Sequence, residues 1–109
     1  MSDRHPKIFD VVPELVEELQ RLLKEEGEIA LTDQVARLVI VDLCRCGDDF
    51  CSTFYTKPRP NGPFGPEHRT IALMPKTGCL NVDVVGSEIV QIEILFRDDL
   101  KARIQAAAI

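Results

Sequence analysis

Residues 79–96 hold two alternating runs joined by Gly86-Ser87, and no other feature limits the fold as tightly. Leu80, Val82 and Val84 alternate with Asn81 and Asp83, and Val90, Ile92, Ile94 and Phe96 alternate with Gln91 and Glu93. Successive side chains of a strand point to opposite faces, so each run reads as a strand with one apolar face and the pair as a hairpin. A sheet with one apolar face has to be covered, and the chain must supply the cover.

Two segments have the right pattern for it. Residues 13–26 place Leu15, Val16, Leu19, Leu22 and Leu23 on one stripe with charged residues opposite, which is an amphipathic helix. Pro13 suits its first turn and Gly27 its left-handed end. A C-terminal helix starting at Asp98 or Asp99 turns Leu100, Ile104 and Ala108 inward. Thr32-Asp33 reads as an N-cap before a short helical turn to about Arg37.

The β-branched run after it predicts a buried strand over 38–46, against the competing choice of one helix over 33–44. Gly47-Asp48-Asp49 is turn chemistry leading into a strand over 50–56, and a further strand is expected over 70–74. The expected fold is therefore α+β: one domain over 1–109, with an antiparallel sheet of about five strands and an N-terminal and a C-terminal helix packed on one face.

The balance of 13 Lys and Arg against 18 Asp and Glu gives a net charge of −5, which argues against nucleic acid or an anionic membrane as partner. No apolar run is long enough for a membrane span and the N-terminus has no secretory pattern, so a cytoplasmic location is expected. Cytosolic thiols are normally kept reduced.

That matters because Cys44, Cys46 and Cys51 fall within eight residues and Cys79 follows on a strand. A tight hairpin puts Cys46 nearly opposite Cys51, with Cys44 two residues back on the same face. Four thiolates, with His68 as an alternate ligand, would make a zinc site, although the spacing is not the paired C-x-x-C of zinc fingers and ribbons. The plainer reading is that these cysteines are small buried packing residues. A Cys46–Cys51 redox pair helped by Arg45, or a Cys51 nucleophile with His68 as base near Tyr55 and Arg69, are further readings. The carboxylate pairs Asp48-Asp49 and Asp98-Asp99 are accounted for by turn formation and helix capping. No phosphate loop, nucleophile elbow or metalloprotease motif is present, and no catalytic residue is assigned.

The run from Cys44 to Thr56, with its Cys-x-Cys-Gly and Phe-Tyr-Thr pieces, resembles segments of small bacterial proteins of unknown function. That resemblance implies a bacterial origin and no site residue. The 78–95 hairpin is similar to the closing hairpin of a small uncharacterised β-rich family, and again no function comes with it.

Residues 57–69 form a long loop with four prolines and a local positive excess, and such loops are often functional. With no catalytic set in view, the expected function is binding, of a protein partner, as an interaction, immunity or antitoxin-like domain. The loop residues Arg59, Phe64, His68 and Arg69 are the expected contacts. A structural-zinc domain and a thiol-dependent enzyme or redox protein are the alternatives. An incompletely covered sheet leaves a homodimer open.

Overall fold

The computed structural model describes residues 5–107. Four helices, α1 (Ile8–Val11), α2 (Pro13–Glu25), α3 (Ile29–Val35) and α4 (Asp98–Ala107), accompany five strands, β1 (Asp42–Leu43), β2 (Phe54–Tyr55), β3 (His68–Ala72), β4 (Cys79–Val85) and β5 (Glu88–Leu95). The strands form one antiparallel sheet in the order β1-β2-β5-β4-β3. This is the α+β arrangement expected from the sequence, with α2 and α4 both present and the helices on one face.

The hairpin forms as read and becomes the centre of the sheet, with Leu80 opposite Ile94 and Val82 opposite Ile92. A bulge at Asp83/Val84 then moves the register: Asp83 faces Gln91, but Val84 faces Ile89. Ile89, fully buried, therefore takes the core place that strict alternation assigns to Val90. At the other end Phe96 leaves the pattern altogether. Its φ is 60° and it is 58% exposed, because the chain turns there toward α4 while its amide donates to Phe50 O.

The core is one cluster. Leu15, Leu19, Leu22 and Leu23 of α2 and Leu100 and Ile104 of α4 pack with Phe54, Leu80, Val82, Val84, Ile92 and Ile94 from the inner sheet face. Ala108 lies outside the described residues. Arg97, only 7% exposed, fastens α4 to α2: it donates two bonds of 2.9 Å to Glu18 and two of 3.0 Å to Asp99.

The segments between α2 and β3 depart from expectation. α3 begins at Ile29, and Thr32 is inside it, its hydroxyl donating to Ile29 O rather than capping. Neither the 33–44 helix nor a full 38–46 strand forms. Leu38 and Ile40 are buried, but their backbone bonds run to the N-terminal segment, from Ile8 N to Leu38 O and from Ile40 N to Pro6 O. Burial of an apolar run therefore does not require the sheet as its hydrogen-bond partner. Over 50–56 the ladder is reduced to Phe54–Tyr55 and a Cys51–Leu95 bridge, because the Thr53 hydroxyl takes the Ile94 amide at 3.0 Å. Short strands there leave the cysteine hairpin at an end of the sheet, beside α4.

Candidate metal centre at the open end of the sheet

The pairings of Asp42 with Tyr55 and Leu43 with Phe54 define the hairpin that carries the thiols. Leu43 packs against the core, so Cys44 falls on the opposite face, and its amide donates to Thr53 O at 3.0 Å. Gly47, at φ 81°, makes the turn possible, and the Cys51 amide closes it onto Asp48 O at 3.2 Å. The outcome is that the ligand atoms of Cys44, Cys46 and Cys51 all lie within 4.8 Å of one another. Tetrahedral zinc with sulfur at about 2.3 Å needs sulfurs roughly 3.8 Å apart, so this grouping lies within small side-chain adjustments of a metal site.

Burial does not account for Cys46 or Cys79. All four are free thiols; Cys46 and Cys79 are exposed, and Cys44 and Cys51 only half-buried. The packing reading therefore fails for Cys46 and Cys79, while Cys51 is the most enclosed of the cluster. The thiols open onto a cavity of about 280 Å³ lined also by Gly47, Asp48, Asp49, Lys101 and Gln105. Lys101 of α4 holds the turn in place by donating its Nζ to Asp49 O.

The cluster divides its protons unevenly. Burial acts against a thiolate at Cys51, but the Thr53 hydroxyl and amide, then the Cys46 and Cys44 thiols, together outweigh it and leave this pKa below the ordinary thiol value. At Cys46 the Asp48 amide favours the thiolate, yet competition from Cys51 and Cys44, with desolvation, pushes it up to about 11. Arg45 is not the source of this asymmetry, since its guanidinium bonds Asp42 at 3.1 Å.

The remaining expected site residues lie elsewhere. Cys79 and Cys51 both pair with Leu95, from opposite sides of β5, so they share a face and a row but stand two strand spacings apart, about 10 Å. Cys79 is therefore not a fourth ligand. His68 is on β3, opposite Val85 at the far end of β4 from Cys79, and about three strand spacings from Cys51. It is neither an alternate ligand nor a base for Cys51. Its Nε2 lies 2.8 Å from Asp83 Oδ1, which also accepts the Thr70 hydroxyl at 2.6 Å.

The loop residues are also engaged within the chain. Arg69 grips Glu28 with two bonds of 3.0 Å, Arg59 stands over the Tyr55 ring at 5.1 Å, and Phe64, half-buried, lies against the His68 ring. The exposed aromatic pair is instead Phe50 and Phe96, stacked with centroids 4.8 Å apart next to the thiols. Phe96 was hidden from sequence reasoning because alternation placed it in the core. Among the described residues no helix is long and apolar enough to cross a membrane. No protein-family model, curated protein or solved structure matches the chain, so its function has to be argued from this geometry alone.

Proposed function

We propose that the protein binds one soft transition-metal ion, zinc in the first instance, through Cys44, Cys46 and Cys51. The observation that carries this reading is the grouping of three ligand atoms within 4.8 Å at a solvent-open hairpin. Thiolate sets favour zinc and copper(I) over hard cations such as magnesium and calcium. Three protein ligands with a fourth position facing the cavity differ from a closed structural site, which takes four. The ion is thus exchangeable, and the fold does not depend on it.

Cobalt(II) titration of reduced, metal-free protein tests the reading. The expected result is thiolate-to-cobalt charge-transfer and d–d bands that saturate at one equivalent and are displaced by zinc. Cys51→Ser should abolish them and Cys79→Ser should leave them intact. Absence of the bands, or equal binding by the Cys51 variant, would overturn it.

A second reading, binding of another protein, has one specific observation behind it, the exposed Phe50–Phe96 stack. If a second copy of the chain covers it, Phe50→Ser will shift sedimentation from dimer to monomer. Monomeric wild-type protein would remove that version.

A further inference from the structure

Cys46 and Cys51 are placed for more than ligation. The Cys44 amide donates to Thr53 O, which carries the hairpin one residue past Leu43–Phe54, and the Cys51 amide then turns to Asp48 O, so Cys46 and Cys51 flank the turn on its two arms. A disulfide spans Cα separations of about 4.4–6.8 Å. Cys44 and Cys46 lie two residues apart on the same arm, so a bond between them would not cross the turn. Cys44 is held beside Thr53 while Cys46 and Cys51 stand on the two arms next to the turn, which favours this pair among the three, and their sulfurs already lie within 4.8 Å. Cys46 is exposed and a small disulfide can reach it through the open cavity, while Cys51 is the more enclosed partner behind it.

We propose that the site is redox-gated: a low-molecular-weight disulfide of the glutathione class oxidises Cys46 and Cys51 to a cross-strand disulfide, and the metal leaves. The release half rests on the metal reading above; the pairing half does not.

The chemistry balances without a further reagent. One cysteine, as thiolate, attacks a sulfur of the small disulfide; that S–S bond breaks, a mixed disulfide forms, and one small thiolate departs and takes a proton. The second cysteine gives up its proton and attacks the protein sulfur of the mixed disulfide. The Cys46–Cys51 bond forms and the second small thiol is released. Two electrons pass from the protein dithiol to the small disulfide, and the pairing is the same whichever cysteine reacts first. With two of three thiolates gone, Cys44 alone cannot hold the ion.

Wild-type protein is sufficient for the test. Reduced metal-free and zinc-loaded samples are incubated with oxidised glutathione, the residual thiols blocked, and intact mass, linked peptides and free zinc measured. The expected product has lost two hydrogens, links Cys46 to Cys51, carries blocked Cys44 and Cys79, and releases zinc in step with the disulfide. Cys46→Ser should stop at a glutathione adduct. A link involving Cys44, or four blockable thiols after exhaustive incubation, would overturn the gate. If zinc binds and no pairing occurs, the gate fails and the metal reading stands. If pairing occurs in a protein that never holds zinc, the metal reading fails and takes the release with it.

Discussion

Cys46 and Cys51 are the same residue type on one hairpin, and their neighbours move them in opposite directions. The Thr53 hydroxyl and two flanking thiols outweigh burial at Cys51, whereas Cys46 loses that competition and is held up to about 11. Alkylation of metal-free protein should follow the thiolate, so iodoacetamide will label Cys51 before Cys46 as pH rises. Peptide mapping across pH would read the order directly, and early labelling of Cys46 would contradict this account. Loss of any one of the three ligands should weaken zinc by more than the 10- to 100-fold typical of an outer-sphere partner, about 100-fold or greater. Cys79→Ser, about 10 Å from the cluster, should change zinc affinity by less than about twofold in a competition titration. At this scale the residue types were legible in the sequence. The internal partners of His68 and Arg69 were not, because Asp83 and Glu28 reach them through the fold.

The fit between elements is narrowest at Gly78 and Arg97. A Cβ at Gly78 would lie 2.5 Å from Leu95 O and 2.8 Å from Arg97 Cδ, in a backbone already at φ +71°. Gly78→Ala should cost about 2 kcal/mol or more, read as a lower urea midpoint, because backbone atoms cannot move aside as a side chain can. Arg97→Met keeps the packing and removes the charge that joins α2 to α4. Glu18 and Asp99 stay partly in water, so the cost should be about 2 kcal/mol, below the 3–5 of a fully buried broken pair. The Arg97 bond, opposed by burial, holds Asp99 below its ordinary 3.8. A carboxylate lowered on folding contributes stability above its unfolded value and loses it as pH falls through its folded one. Wild-type protein should therefore lose this contribution below about pH 4, and the Arg97→Met variant should show a flatter acid limb in thermal unfolding. α2 was readable from its own stripe. The 38–40 segment was not, since its backbone bonds go to Ile8 and Pro6, distant in sequence.

For the molecule as a whole, the core needs no metal to close. One cluster of buried aliphatic residues spans all four helices and the inner sheet face, while the thiols stand at the edge of the structure. Chelator-treated protein should therefore unfold cooperatively, unlike a zinc finger, and zinc at 100 times its dissociation constant should add about 2.7 kcal/mol. Calorimetry with and without zinc measures both, and an unfolded apo form would mean that the site is structural. Periodicity by itself determined the central hairpin and the amphipathic α2, because side-chain direction is a local property, of period two in a strand and 3.6 in a helix. That Cys79 stands apart from the other three was decided only by tertiary structure. β5 enters between β2 and β4, bringing Leu95 between Cys51 and Cys79, and a pairing made between residues so far apart in the chain leaves no mark on the pattern of either strand.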